Sequence, residues 1–540
     1  MMINIKKYEK EKNMKRIISL ILVLCFIGLA LAACGGDEEK KKVSKKTNKP
    51  TQTNQYGEVE VLGSSFDWDK VEKFDDVVLN VIARNDYKVQ KEWGQIETTD
   101  VDGMSLEVDK RNAAVEKKLG LSTAMTYVGG EFADQFRNQI MSVVYQDWDS
   151  GLNQYDIVAC YGYIAMDQGY RDIWANLLNK DVFPYFDFSL KCWNQGIYKN
   201  GTVNDRLYLC SGDFNLSLFD STMIMWHNKE LYETLLEKTN DKKSPRDLQD
   251  TIIAGEWTYS ELYKWASYHD NVDPESNKGD VFGLYMNGER WPTQPFDAIP
   301  YAWDIDFITT NNDGTHSYNF KDNKRAEDAI KMFRNLWSEK GTATETTGGP
   351  NFTSGKLLFS ADVIWFSEKG NLALREMDQP YSLTPWPKFD ENQDHYSTTS
   401  QDYFTTISVI DHINGEPTKG EAISAYLQYA TEYSYTNIRM FYFKEIVEPK
   451  YFGDFGETAK KSVDIFNIII DNLEFDFATI YSPMLNGVIS QCWRYNVLLN
   501  YGGSPTEVAT TTVYQKYQDS QKVYDESLTD LDTWFGLFEE

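Results

Sequence analysis

YDIVACYGY, residues 155–163, sets the fold class, because it is typical of a buried strand that runs into an aromatic loop. The apolar run VVLNVIA (77–83) predicts an earlier strand, and SLEVDKRNAAVEKKLGL (105–121) and GGEFADQFRNQIMSVVYQ (129–146) predict helices between the two. The order strand, helix, strand predicts a parallel sheet with helices on its faces. In such open α/β sheets, ligands bind beyond the carboxyl ends of the strands.

A second block begins near residue 205 and has the same alternation of strands and helices. TMIMWHN (222–228) predicts a strand and NKELYETLLEK a helix with Asn228 as its N-cap. In GEWTYSELYKWA (255–266), Thr258 and Glu261 predict a capping box, and the two tryptophans are predicted to be core. KLLFSAD (356–362) predicts a strand followed by a helix. Further helices are predicted in EAISAYLQYATE, AKKSVDIFNIIIDNLEFD and DTWFGLFEE, so the C-terminal region is expected to be mostly helical.

The charge balance excludes one large class of partners. The chain has 54 basic and 82 acidic residues, and without residues 1–33 it keeps 48 and 80, a formal charge of −32. A net charge this negative argues against nucleic acid as a partner. The 15 Trp, 34 Tyr and 29 Phe supply a core, and the excess of Tyr and Trp also suits a carbohydrate-binding protein.

The N-terminus carries a membrane signal. Lys15 and Arg16 precede the uncharged stretch 17–33, which ends in small residues before Cys34. The tetrapeptide LAAC (31–34) resembles the lipobox of bacterial lipoproteins, which implies a lipidated Cys34, a cleaved signal and anchoring on the extracytoplasmic face of the cell membrane. The alternative is an uncleaved transmembrane anchor, for which 17 residues is short. Residues 34–58 are Lys-rich and are expected to form a flexible tether. Met1 and Met14 remain alternative start sites.

Four cysteines remain beyond Cys34, and their spacing predicts no metal site. Cys160 is expected to be a buried small apolar residue. A disulfide between Cys192 and Cys210 is left open, as is the state of Cys492, because sequence does not fix connectivity.

Several segments, in this order, resemble family 1 extracellular solute-binding proteins of ABC importers: NKELYETL, GEWTYSELYKWA, FTSGKLLFS, PWPKFDENQDHY and FDFATIYSP. The resemblance implies a two-lobed, periplasmic-binding-protein-like (Venus-flytrap) α/β fold with a hinge and a ligand, commonly a carbohydrate, between the lobes. It places lobe 1 at 75–190 plus 398–445 and lobe 2 at 191–397 plus 446–540. It further implies a monomeric binding protein without enzymatic activity, cofactor or metal, whose closed form delivers its ligand to the permease subunits of an ABC transporter.

A pyranose offers hydroxyls and apolar C–H faces, so a sugar site pairs flat aromatic rings with a few placed polar groups. The candidate binding residues are those that follow predicted strands or lie in aromatic-rich loops. For every tryptophan among them, the alternative is a packing role in the core. For Trp365 the resemblance implies a stacking aromatic, and for Asp213 a turn or cap is the alternative. The candidate ligand-binding residues are Asp86, Tyr87, Tyr161, Tyr163, Asp213, Trp291, Trp303, Asp304, Trp365, Trp493 and Arg494.

Three other functions remain open. A secreted glycosidase would need two carboxylates at a fixed separation, and with 80 acidic residues any pair can be imagined. The sequence contains no GxSxG, HExxH or Gly-rich phosphate loop, and its five histidines are scattered. A solute-binding sensor and a peptide binder of the same fold would share the closing lobes, so sequence does not separate them from an import receptor.

Overall fold

The computed structural model describes residues 64–94, 103–129, 139–167, 172–239, 247–267, 281–286, 295–338, 343–344, 352–367, 374, 377–447, 457–494 and 512–538. The signal 1–33, Cys34, the tether 34–58 and Trp291 lie outside these residues. Within them, no helix has the length and apolar character needed to span a bilayer.

The strands of the described residues form two main sheets and a hairpin. They are β1 Val78–Arg84, β2 Ser122–Val128, β3 Ile157–Tyr161, β4 Met223–Asn228, β5 Phe282–Met286, β6 Ile308–Thr310, β7 His316–Tyr318, β8 Ala343–Thr344, β9 Leu357–Val363, β10 Tyr381–Thr384 and β11 Thr405–Val409. The first sheet has the order β11-β3-β1-β2, the second the order β10-β4-β9-β5-β8, and β6 pairs with β7.

The first sheet contains the parallel strands that the sequence predicts. β1 runs parallel to β2 and to β3, with Val78 opposite Ser122 and Val81 opposite Ile157. β11 is antiparallel to β3, so its first residue, Thr405, lies opposite Tyr161, the last residue of β3. The amino end of β11 therefore lies at the same edge as the carboxyl ends of β1 and β3.

Helices and tight turns connect the strands. The α-helices are α1 Tyr87–Trp93, α2 Gly103–Leu119, α3 Gln139–Asp149, α4 Gln195–Gly201, α5 Leu216–Asp220, α6 Lys229–Thr239, α7 Leu248–Ile253, α8 Tyr259–Ala266, α9 Ile299–Ala302, α10 Lys324–Ser338, α11 Pro417–Tyr433, α12 Arg439–Tyr442, α13 Glu457–Asp471, α14 Phe477–Ile480, α15 Val513–Gln518 and α16 Gln521–Trp534. Short 3₁₀ turns cover Ile164–Met166, Pro295–Ala298, Ile364–Ser367 and Asp411–Gly415, and π-helical turns cover Ser434–Ile438, Phe443–Val447 and Ser490–Arg494.

The alternation of side chains along β1 explains the layers of the first lobe. Val81 is buried in one apolar cluster together with Val115 of α2, whereas Ile82 is buried in a second cluster together with Val144 of α3. Successive residues of a strand point to opposite faces of the sheet. Both faces are therefore covered, as is usual for a sheet with parallel strands.

Of the two predicted helix starts, the N-cap at Asn228 is confirmed and the capping box at Thr258 is not. The Asn228 side chain caps α6, because Oδ1 accepts the N–H of Leu231 at 2.9 Å. Thr258 is the N-cap of α8, but its side chain makes no capping hydrogen bond, so the predicted capping box is wrong. Its backbone instead forms a bridge with Lys388, whose carbonyl accepts the N–H of Tyr259 at 2.8 Å. Pairing with a neighbouring segment, and not the threonine hydroxyl, fixes the start of this helix.

One further expectation is wrong, and the disulfide that the sequence left open is not formed. The helix predicted for residues 532–540 ends at Trp534, because Gly536 takes a left-handed conformation (φ 71°) that terminates it. Cys192 and Cys210 are both free and buried, so the structure contains no disulfide between them. Burial raises the pKa of both thiols above the usual value, which keeps them protonated and inert. Cys160 is buried as predicted.

The chain passes between the two sheets along paired segments. Thr222, just before β4, forms a backbone bridge with Ser400, and Gln401 N donates to the Ser221 carbonyl at 2.8 Å. Cys210 is bridged to Ile407 of β11, so contacts with the first sheet continue beyond residue 190. The lobe boundaries given above stay a prediction, and this bridge favours a first crossing nearer residue 220.

An ion cluster of three residues, the buried Asp213 and Arg439 and the partly exposed Asp471, joins segments near the crossings. Arg439 Nε lies 2.8 Å from Asp213 Oδ2, and Nη1 lies 2.6 Å from Asp471 Oδ1. Burial alone would lower the pKa of Arg439, but the two carboxylates raise it above its ordinary value. The cluster links the segment before α5, the start of α12 and the end of α13.

Candidate functional site

The last residues of strands β1 and β3 place their side chains at the same edge of the first sheet. Arg84 ends β1 and is 1% exposed, and its guanidinium carbon lies 3.7 Å from the ring centroid of Tyr161, which ends β3. The same carbon lies 4.6 Å from the ring centroid of Tyr403, whose carbonyl accepts from Arg84 Nη2 at 2.6 Å. Cation–π attraction adds to this hydrogen bond. Arg84 therefore holds two aromatic rings at the edge where ligands of α/β sheets bind.

The start of α1 brings polar groups to the same edge. Asp86 is its N-cap, with Oδ1 accepting the N–H of Lys88 at 2.8 Å, and the Tyr403 hydroxyl donates to the Asp86 carboxylate. Lys88 Nζ lies 4.4 Å from the ring centroid of Trp365 and 3.2 Å from Asp220 Oδ2. Trp365 follows β9 of the second sheet, so this contact joins the two lobes across the cleft.

A pocket of about 350 Å³ adjoins these aromatic residues. It is lined by Tyr161, Tyr163, Ile164, Asp402, Ser482, Pro483, Asn486 and Gly487. One wall is the end of β3 and the other is the turn after α14. Asn486 and Gly487 both take left-handed conformations in that turn, and Asn486 Nδ2 donates to Ser527 Oγ of α16 at 2.6 Å. The volume lies in the range of small-molecule sites.

The tyrosine hydroxyls of the cleft are hydrogen-bonding groups and not nucleophiles. Burial, and then the Asp86 carboxylate, raises the pKa of Tyr403 far above its usual value, with Arg84 opposing the change. Burial also raises the pKa of Tyr163, and the nearby Tyr301 adds to the effect. Both hydroxyls therefore stay protonated at neutral pH. Flat rings with neutral hydroxyls and a few charged groups suit noncovalent recognition of a polyhydroxylated ligand.

Four of the predicted residues come together in this cleft, and a fifth lies beside it. Asp86, Tyr161, Tyr163 and Trp365 contribute to the cluster and pocket described above. Tyr87 begins α1 and is 44% exposed. Their role in binding a ligand stays a prediction.

The two other described tryptophans among the candidates are packing residues. Trp303 is buried, and its Nε1 donates to the Pro387 carbonyl at 3.1 Å. Trp493 is buried against Phe307, with ring centroids 5.8 Å apart. The structure does not bring these rings to the cleft, because large aromatic surfaces serve a core as well as a ligand.

The remaining polar candidates have structural partners elsewhere. Asp213 belongs to the ion cluster. Asp304 is an exposed turn residue in a left-handed conformation (φ 52°) that ends α9. Arg494 Nη2 is paired with Asp297 Oδ2 at 2.7 Å. The structure therefore brings none of these three to the cleft.

Sequence reasoning missed several residues of the cleft. Arg84 and Lys88 flank the predicted Asp86, and their position directly after the first strand was a usable signal. Asp402 and Tyr403 precede β11, and only its antiparallel direction brings the amino end of that strand to the site. Asn486 reaches the pocket through the tertiary path of the C-terminal helices, which no local pattern predicts. Within the described residues, no cluster of His, Cys, Asp and Glu is suited to a metal ion.

Comparison with known proteins gives the fold. No family model matches the sequence, and no curated relative matches it. The sugar-binding protein MalE from the phytopathogen Xanthomonas citri is a similar solved structure, with a TM-score of 0.50 and 12% identity over 86% of this chain and 100% of that chain. The described residues therefore have the two-lobed α/β fold of solute-binding proteins, which confirms at the level of fold the resemblance seen in the sequence.

Two other solved structures align over similar lengths with lower scores. One is an ABC transporter associated binding protein from B. animalis subsp. lactis in complex with β-1,6-galactobiose, with 13% identity, 84% and 98% coverage and a TM-score of 0.46. The other is the maltose/maltodextrin-binding domain MalE from Bdellovibrio bacteriovorus bound to maltotriose, with 15% identity, 84% and 100% coverage and a TM-score of 0.44.

Proposed function

We propose that this chain is a solute-binding receptor that captures a carbohydrate between its two lobes and delivers it to an ABC permease. The first candidate for the carbohydrate is an oligosaccharide. The observation that carries the proposal is the meeting of Trp365 from the second lobe with Lys88, Tyr403 and Tyr161 from the first at one edge of the sheets. Aromatic faces with a few polar groups between them suit a sugar. The similarity in fold to a sugar-binding protein supports the same class of ligand.

The proposed mechanism is a shift of population between open and closed lobes. A ligand that contacts Tyr161 of one lobe and Trp365 of the other gains both contacts only when the lobes are closed. Binding therefore favours the closed form, by the difference between the ligand's binding free energies for the closed and the open form. The paired crossings at Thr222 and Ser400 would act as the hinge, where backbone dihedral angles change as the lobes rotate. The closed, monomeric receptor would then dock on the permease.

The proposed location is the extracytoplasmic face of the cell membrane. The lipobox-like LAAC supports lipidation of Cys34, and a lipid on that residue would hold the receptor beside its transporter. Mass spectrometry of the mature N-terminus tests this directly. A diacylglyceryl-modified Cys34 is the expected result, and an unmodified, uncleaved N-terminus would contradict it.

Binding is tested on residues 53–540, which form a compact unit. Tryptophan fluorescence and melting temperature are measured against maltose, maltotriose, maltotetraose and β-1,6-galactobiose, with an amino-acid and peptide panel as control. We expect a saturable rise in melting temperature with one glycan class, and recovery of the glycan intact. A response only to peptides would contradict the carbohydrate, and a cleaved glycan would show an enzyme instead.

A further inference from the structure

Lys88 of the first lobe lies over an aromatic ring of the second lobe. Its Nζ is 4.4 Å from the ring centroid of Trp365 and 5.4 Å from that of Tyr403, and its side chain is only 12% exposed. Asp86 caps the start of α1 by accepting the N–H of Lys88 at 2.8 Å, which fixes the backbone from which this side chain extends. The ammonium therefore contacts aromatic rings of both lobes.

A carboxylate of the first lobe holds this ammonium in place. Asp220 Oδ2 lies 3.2 Å from Lys88 Nζ, and Asp220 is the last residue of α5. Helix α5 is joined to α1, because the N–H of Ser217 donates to Glu92 Oε1 at 2.6 Å. A cation over a ring is attracted to it, and the attraction is stronger where water is excluded. Lys88 thus links a fixed anchor in the first lobe to a ring of the second.

Lys88 also covers the surface that a stacking ligand would need. Trp365 is partly buried and packs against the large apolar cluster, so only part of its ring remains for a ligand. Because Lys88 comes from the first lobe, the face that it covers is turned toward the cleft. An ammonium and a sugar ring cannot lie over the same face at once. A contact that excludes the ligand raises the apparent dissociation constant, since only molecules without the contact are competent to bind.

Resting on the proposed function, we infer that the contact of Lys88 with Trp365 is an autoinhibitory latch. In the ligand-free receptor the latch holds the lobes together and covers the ring on which a ligand would stack. A ligand displaces the ammonium from the ring, and the ammonium keeps its pairing with Asp220, so opening the latch leaves no carboxylate unpaired. Lys88 thereby regulates affinity without contacting the bound ligand.

The first test is small-angle X-ray scattering of ligand-free residues 53–540. Lys88→Gln removes the charge and keeps a hydrogen-bond donor for Asp220, so we expect a larger radius of gyration than in the wild type. Lys88→Arg keeps a cation and should retain the wild-type value. The matched control is Lys264→Gln, because Lys264 Nζ lies 4.6 Å from the ring centroid of Trp265, its neighbour in α8, and this contact does not cross between lobes. Equal radii of gyration in the wild type and Lys88→Gln would overturn the latch.

The second test is the dissociation constant of whichever sugar of the panel binds the wild type. We expect Lys88→Gln to bind that sugar roughly fivefold more tightly, because the competing form loses one cation–π contact. Equal or weaker binding by this variant would overturn the inhibitory role while the proposed function stands, and weaker binding would mean that Lys88 contacts the ligand. If no sugar binds either protein, the proposed function fails and the inhibitory role fails with it, while scattering still decides whether Lys88 holds the lobes together.

Discussion

The ion cluster and the cleft use the same kinds of residue in opposite ways. In the ion cluster, the buried Arg439 is paired with two carboxylates, the buried Asp213 and the partly exposed Asp471. In the cleft, the buried Arg84 meets two tyrosine rings and a carbonyl, and its Nε and Nη1 make no hydrogen bond with any described residue. The completeness of the hydrogen-bonding and ionic partners, more than residue type or burial, therefore distinguishes the ion cluster from the proposed binding cleft.

The largest expected effect comes from breaking the ion cluster. Arg439→Met removes the guanidinium that pairs with the buried Asp213, and removing one partner of a buried pair costs about 3–5 kcal/mol of unfolding free energy. Denaturant unfolding measures it. The control Lys324→Ala removes an exposed i,i+4 partner of Asp328 and should change the free energy by less than about 0.5 kcal/mol. Equal losses of unfolding free energy in the two variants would show that pairing of the buried charges does not stabilise this protein more than an exposed ion pair does.

A buried carboxylate without a cation sharpens the comparison. Asp362 in β9 accepts the backbone N–H of Val363 at 2.8 Å, and burial raises its pKa to about 7. The folded state therefore holds this proton more tightly than the unfolded state, so its contribution to stability is greatest below pH 4 and is lost as the pH rises to 7.

Asp362→Asn should relieve that penalty. We expect the variant to gain about 4 kcal/mol of unfolding free energy at pH 8 and almost nothing at pH 4, because the wild-type carboxyl is already neutral there. Unfolding curves at the two pH values measure the difference. A gain of the same size at both would mean that the effect does not come from ionisation.

The smallest of the three effects separates binding from packing. Trp365→Ala removes the aromatic face of the second lobe, and a central aromatic contact contributes about 2 kcal/mol, or roughly thirtyfold in the dissociation constant. Its melting temperature without ligand should change little, because Trp365 is only partly buried. Trp303→Ala should do the reverse, since this ring lies in the core. Calorimetric titration with the bound sugar and thermal unfolding distinguish the two variants. Weaker binding by Trp303→Ala alone would mean that Trp303, and not Trp365, contacts the ligand.

Much of the fold could be predicted because the strands are apolar runs bounded by polar residues, as in TMIMWHN and KLLFSAD. Sequence reasoning reached the cleft only at or shortly after the ends of strands, which gave Asp86, Tyr161, Tyr163 and Trp365, and their role in binding stays a prediction. Tyr403 was missed because the direction of β11 is a property of the sheet and not of its own sequence. For Trp303 and Trp493 the sequence left both the ligand and the core open, because composition does not distinguish a ring that packs from one that binds.

The free cysteines have a practical consequence for following closure in solution. Residues 53–540 contain four thiols, and all four are buried in the folded protein. A dye-coupling reagent therefore meets no accessible native thiol, and a single cysteine introduced at the exposed Tyr87 becomes the one reactive position at the mouth of the cleft. These four cysteines form no disulfide, so a reducing agent breaks no bond among them, and a fluorophore at position 87 can report lobe motion without removing any natural residue of the core.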